Sequence, residues 1–351
     1  MGITAQEGRV RLTRLDALRG LAAMGVVVYH MASWPHLHPV LIWPFHWLFG
    51  WGWTLVDLFF VLSGYVFAHV YGAPQQLGRP GALADFWVAR VARLWPLHLV
   101  TLGSFALFAW GGDNTIRTLA WHLAMLQGFD PVAATAFNGV SWSISIEMAC
   151  YALFSLGARA GDRALLAVSL LMVMVCGVWL ASMGSLPGAW TGEFLPRGGL
   201  GFFLGQLLWR GRGPLARVPW LVLVLAAGAG LYFNDTRIGA LVPLLVLSWT
   251  SLVVLALRLS LLDRGLFLWL GERSFGLYMM HMLVVETVDT IWPPQGLSMA
   301  ALALSQAMIL LLALLAAEAA YRLVEVPARR AIRARWAARQ AHDPAAGMQP
   351  A

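Results

Sequence analysis

The chain is 351 residues long, 60% apolar and only 12% charged, with 18 tryptophans and a formal net charge of +7. That balance lies outside the range of soluble globular domains, and the tryptophan excess suits rings anchored at lipid headgroups. The basic residues are all arginine, scattered through short loops and densest at the C-terminus, a pattern that sets membrane orientation and argues against a nucleic-acid partner.

A helix needs about 20 apolar residues to cross the hydrocarbon core. On that rule, spans fall near residues 15–34, 48–71, 94–110, 140–157, 165–183, 195–209, 219–233, 238–258, 267–288 and 300–324. The expected fold class is all-α: a polytopic integral membrane protein with about ten transmembrane helices around an internal polar cavity. Residues 1–14, with Arg9, Arg11 and Arg14, form an N-terminal segment. No small-residue cleavage site follows in the usual place, so the first span is expected to be uncleaved. The membrane domain covers 15–324, and 325–351 is expected to be a disordered cytoplasmic tail.

Arginine-rich and arginine-poor loops alternate along the chain. Arg79, Arg90 and Arg93 occupy 72–93, against Arg117 alone in 111–139. Arg159 and Arg163 precede a poor loop at 184–194, and Arg210, Arg212 and Arg217 precede Arg237 alone. Arg258 and Arg264 are followed by none in 289–299, while the loop at 35–46 also has none. The alternation predicts an even span count with both termini cytoplasmic. Cys150 and Cys176 sit in apolar runs, so neither a disulfide framework nor a metal site is expected.

Ionisable groups inside spans are costly and are functional candidates by default. In the first span Arg19 and His30 are eleven residues apart, on one face and about 16 Å apart along the axis. The structural alternative is a snorkelling arginine and a satisfied core histidine. Asp57 in VDLFFVLSGY would be costly or protonated if unpaired. Arg90 and Arg93 open the third span as an i, i+3 pair, either an ordinary cytoplasmic anchor or a clamp for phosphate oxygens. Glu147 follows Ser141, Trp142, Ser143 and Ser145, and has little structural excuse at that depth. Tyr278 and His281 are i, i+3 neighbours in the ninth span. By counting, His30, Asp57, Glu147 and His281 share one depth and Arg19, Arg90 and Arg93 another, as suits a ligand threaded between them. Glu286 is expected near the outer boundary, and Glu318 is expected to pair with Arg322 at i, i+4.

In order and spacing, these blocks resemble the acyltransferase-3 family of membrane O-acyltransferases over almost the whole chain. The blocks are LDALRG with Arg19 and His30, VDLFFVLSGY at 56–65, RVARLWP at 90–96, WSISIE at 142–147, SFGLYMMH at 274–281 and VEVP at 324–327. One departure is His98, where the family often has tyrosine. The resemblance implies transfer of an acyl group, most often acetyl from acetyl-CoA, to a hydroxyl of a carbohydrate or glycolipid acceptor, in the bacterial cytoplasmic membrane. It puts weight on Arg19, Arg90 and Arg93 as acyl-CoA-binding residues and on His30, Asp57 and Glu147 as catalytic ones. Tyr278, His281 and Trp142 fall to the substrate or the oxyanion. His30 is the expected general base, with Glu147 or Asp57 orienting it; a covalent acyl-histidine is the open alternative. The second functional reading is a proton-coupled transporter, against which stands the lack of a two-half repeat.

Overall fold

The computed structural model describes residues 11–32, 46–72, 76–183, 194–233 and 241–342. Arg9, Arg237, the loop residues 35–45 and 184–193, and the last residues 343–351 lie outside the described residues, so the topology markers placed there have no structural counterpart.

Lipid offers no hydrogen bonds to a backbone, so a spanning segment must satisfy its own. Each of the ten predicted stretches coincides with a helix. They are α1 (Thr13–Ala32), α2 (Leu55–Tyr71), α3 (Ala82–Phe108), α4 (Trp142–Ala160) and α5 (Asp162–Ser182). There follow α6 (Phe194–Arg210), α7 (Trp220–Phe233), α8 (Thr250–Arg258), α9 (Gly265–Ile291) and α10 (Met299–Ala320). Among the described residues, six helical stretches are long and apolar enough to cross a membrane. α1 and α9 are not among the six; they carry Arg14, Asp16 and Arg19, and Glu272, Arg273 and Glu286.

Two boundaries differ from expectation. α3 begins twelve residues earlier than its predicted span, at Ala82, so Arg90 and Arg93 sit two to three turns inside a 27-residue helix rather than at its mouth. The segment expected to be a disordered tail is instead α11 (Val326–His342), continuous with α10 through a π-helical turn at Tyr321–Glu325. Its composition explains this: alanine and arginine are strong helix formers. The wider π turn absorbs the missing N–H of Pro327 where an α register would leave a break. Trp336 Nε1 and Gln340 Nε2 then donate to Asp85 Oδ1 at 2.6 and 2.8 Å, docking α11 on the start of α3.

Small residues let the central helices meet backbone to backbone, the usual device where lipid supplies no hydrophobic drive between helices. A Cβ on Gly20 of α1 would lie 2.6 Å from the Gly271 nitrogen of α9, and one on Gly64 of α2 would collide with the Phe202 carbonyl of α6. The resulting pairs, α1 with α9 and α2 with α6, bring the first span beside the ninth and hold the second against the sixth. α3 and α4 close the remaining sides. The long loop before α4 is built rather than loose. Thr115 caps a short helix at Ile116–Leu123, and Asp130 caps another at Pro131–Thr135 while pairing with Arg117. Asn138 Nδ2 donates to the Met279 carbonyl at 2.9 Å, tying the loop to α9 next to Tyr278.

Candidate active site

A cavity of about 430 Å³ opens between α1, α2, α3, α4 and α9, with α11 at its rim. Its two ends differ in chemistry. The lining includes Arg11, Arg19, Arg90, Arg93, Arg329 and Arg333 with Asp16 and Glu272, and Ser63, Ser143, Glu147 and Tyr278; Arg11 pairs with Glu272 at one end, Ser143 meets Tyr278 at the other, and Arg90 lies 5.9 Å from the ring of Tyr151, whose hydroxyl bonds Glu147. Along α9 the lining includes Glu272 and Tyr278, which are six residues or about 9 Å of helix apart.

At the arginine end most charges are met. Arg19 Nη1 lies 3.2 Å from Asp16, and Arg11 spans Asp16 at 2.7 Å and Glu272 at 3.0 Å. Arg93 Nη1 is 3.6 Å from the buried Glu325 carboxylate, a group from the VEVP block whose role the sequence did not suggest. Arg90 sits with its guanidinium 4.9 Å from the Phe67 ring centroid and 5.9 Å from those of Tyr71, Phe86 and Tyr151. Such stacking holds the planar fork by its face and leaves its edges for oxygen acceptors. Outside the membrane-spanning stretches, hydrogen bonds from Arg14 hold the Asp263 carboxyl below the usual carboxylate range and tie the start of α1 to the turn before α9.

At the other end, Ser63 Oγ donates to Glu147 Oε1 at 2.6 Å, and the Tyr151 hydroxyl donates to the same oxygen. The carboxylate is therefore fixed against one wall of the cavity. The Tyr278 hydroxyl donates to the Val140 carbonyl at 2.7 Å and lies 2.9 Å from Ser143 Oγ. One turn beyond Tyr278, His281 is fully buried, and its ring centroid is 5.9 Å from that of Tyr278. His281 Nε2 lies 3.2 Å from His30 Nδ1. His30 is partly exposed and is not among the cavity-lining residues.

The carbonyls around the two histidines fix their tautomers. His281 Nδ1 faces the Leu277 carbonyl at 3.2 Å, so it must donate and its Nε2 must accept. His30 Nδ1 faces the Val26 carbonyl at 2.9 Å and His281 Nε2, so it carries the proton and shares it between both acceptors. That leaves His30 Nε2 with a bare lone pair, the form a general base needs.

Several expectations about individual residues are corrected by this geometry. Neither Glu147 nor Asp57 bonds to His30; the neighbour on its ring is His281. Asp57 is fully buried and gives both oxygens to Arg197, at 3.0 and 3.3 Å, because α2 and α6 pack so closely that the two charges must neutralise one another. Trp142 is buried rather than lining the cavity: its ring stacks on Phe194 at 4.4 Å, and the Arg197 guanidinium lies 5.0 Å from it. Glu318 pairs with Arg322 as expected, but also with Arg273 at 2.5 Å. Arg197 was invisible to the sequence reading because it falls in a short apolar stretch next to an arginine-poor loop. The signal was the unmatched Asp57, which needed a cation from somewhere.

A family model described as an acyltransferase domain matches residues 12–319. The chain is similar to acyltransferase MdmB of Streptomyces mycarofaciens, at 27% identity covering 97% of each chain. It is also similar to Nodulation protein 10 of Rhizobium leguminosarum bv. viciae, at 25% identity covering 83% of this chain and 88% of the relative. A further match is YrhL of Bacillus subtilis (strain 168), whose name assigns it provisionally as a peptidoglycan O-acetyltransferase. The identity there is 28%, over half of this chain and 28% of that protein. No solved structure matches the chain.

Proposed function

Because the chain belongs to the acyltransferase-domain family and is an acyltransferase, we propose that it moves an acyl group, acetyl first among candidates, from acyl-CoA to a hydroxyl of a carbohydrate-containing acceptor. The observation that carries this reading is the two-ended cavity. Arg19, Arg90 and Arg93, from two separate helices, line one space together with Glu147, Ser143 and Tyr278. Clustered guanidinium groups suit a phosphate-bearing donor. A hydroxyl-lined end about 9 Å further along α9 suits the thioester carried by the donor's flexible arm.

The chemistry needs a base, an oxyanion site and a positioned donor. His30 Nε2 takes the acceptor hydroxyl's proton while that oxygen attacks the thioester carbonyl. Tyr278 and Ser143 turn their O–H groups to the tetrahedral oxyanion. The carbon–sulfur bond breaks, and the departing thiolate receives the proton from His30. His281 holds the base in its productive tautomer, the role a carboxylate has in a triad. Glu147, fixed by Ser63 and Tyr151, lies on the donor side of the reacting centre and orders the hydroxyls around it. In this reading donor and acceptor reach the centre from opposite sides, with Tyr278 and His281 between the donor cavity and His30, as suits transfer across a membrane. The full topology in this reading is ten spans in the cytoplasmic membrane with both termini inside, the arginine end facing the cytoplasm.

The experiment is label transfer by the purified protein in proteoliposomes. Acetyl label from acetyl-CoA should appear on a glycan or glycolipid fraction of the native envelope. Label that crosses the membrane without becoming bonded to acceptor would make the protein a carrier and defeat the proposal.

A further inference from the structure

The family match ends at residue 319, yet the helix beyond it completes the cavity. Arg329 and Arg333 of α11 line the rim on the arginine side. They are four residues apart on one helix face, where like charges repel. The other four cavity arginines have partners: Arg11 and Arg19 have Asp16, Arg93 has Glu325, and Arg90 has its aromatic ring set. Arg329 and Arg333 make no ion pair and no hydrogen bond among the described residues. α11 is nevertheless held where it is, by Trp336 and Gln340 on Asp85. The Glu325 carboxylate that acts on Arg329 is shared with Arg93, so two guanidinium groups held together on one helix face are left short of negative charge and form a site for a multiply charged oxyanion.

We infer that α11 is part of the donor site and that Arg329 and Arg333 hold a phosphate monoester, the 3′-phosphate on the nucleotide end of acyl-CoA. The assignment rests on the acyl-CoA reading above. It follows from the path of α11, which leaves Glu325 beside Arg93 and docks through Trp336 and Gln340 on Asp85 at the start of α3, so that Arg329 and Arg333 lie between those two anchors and are assigned to the nucleotide end of the donor. Arg19, Arg90 and Arg93 are left for the pyrophosphate. A lipid headgroup would offer the same phosphate chemistry, and the test separates the two sources.

The full-length protein is placed in nanodiscs of phosphatidylcholine, which has no net charge, and binding of acetyl-CoA is compared with that of 3′-dephospho-acetyl-CoA. The wild type should prefer acetyl-CoA by about tenfold or more. The double variant Arg329→Gln, Arg333→Gln should bind both donors alike, at the wild-type affinity for the dephospho form. Arg335→Gln, on the same helix but off the cavity lining, should keep the preference and so control for α11 being folded. A wild type without the preference, or a double variant that retains it, overturns the inference. A double variant that keeps the preference but loses phosphatidylglycerol binding would assign the pair to lipid headgroups instead. A wild type that binds neither donor removes the acyl-CoA reading itself, a different outcome from failure of the α11 assignment.

Discussion

His281 Nε2 sits 3.2 Å from His30 Nδ1, and the carbonyls of Val26 and Leu277 leave only one arrangement of protons on the two rings. In the proposed mechanism His30, as the base, is oriented by a second imidazole rather than by a carboxylate, and His281 is a positioning residue. His281→Ala should lower turnover roughly 10- to 100-fold, less than the roughly 10²- to 10⁴-fold contributed by a general base itself, with the apparent affinity for acetyl-CoA unchanged. His281→Asn, whose amide oxygen can still accept from His30, should recover part of the loss. The pH–rate profile should also move, since the neighbour sets the basicity of His30. Steady-state kinetics decide it: an Ala variant with wild-type turnover and pH profile would leave His281 a packing residue.

The Asp57–Arg197 pair makes a separate claim. Removing one member of a buried pair leaves a desolvated charge and costs about 3–5 kcal/mol. Asp57→Ala and Arg197→Ala should each unfold at markedly lower temperature in detergent. The double replacement Asp57→Leu, Arg197→Met should recover most of that loss. If Asp57→Asn instead kept its melting temperature and lost all transfer, Asp57 would return to the chemistry.

For the donor end, Arg93→Ala should weaken acetyl-CoA binding about tenfold or more, and Arg93→Lys should rescue only in part because it lacks the fork. Arg93 is a cleaner probe than Arg90, whose aromatic stacking also packs the helix junction. Isothermal titration on both variants measures this, and wild-type affinity in Arg93→Ala would remove the clamp.

The loop before α4 carries a pH dependence. His122 is buried, and burial, with the nearby His98 second, pushes its pKa down to about 4 from an ordinary 6.5. As pH falls below 6.5 the unfolded loop binds a proton that the folded one refuses until about pH 4, so folding loses stability as pH falls through that window. Hydrogen exchange of residues 116–135 should accelerate between pH 6.5 and 4 beyond the intrinsic trend, and His122→Gln should flatten that excess. Equal behaviour of the variant and the wild type would locate the sensitivity elsewhere.

Much of this was legible in the sequence. Hydropathy placed its stretches on helices, six of them long and apolar enough among the described residues to cross a membrane, because a span's length is dictated by the bilayer. Intramembrane charge found Arg19, Arg90, Arg93 and Glu147, which do converge on one cavity. What hydropathy could not supply was pairing. Equal depth is not contact, so His30 and Glu147 were joined on depth alone, while the helix packing set by Gly20 and Gly271 put His281 there instead. Arg197 lay hidden for the same reason: its partner is 140 residues away. α11 was misread because polarity was taken for disorder, although its alanine and arginine content favours helix.

The central claim is that one cavity binds the donor while His30 takes the acceptor's proton. His30→Gln separates the two parts most directly, since it keeps size and some hydrogen bonding but has no basic nitrogen. The measurement is acetyl-CoA binding and acetyl transfer on the same folded preparation. Wild-type affinity for acetyl-CoA with no detectable transfer is the predicted result; transfer at a rate near wild type would contradict the account.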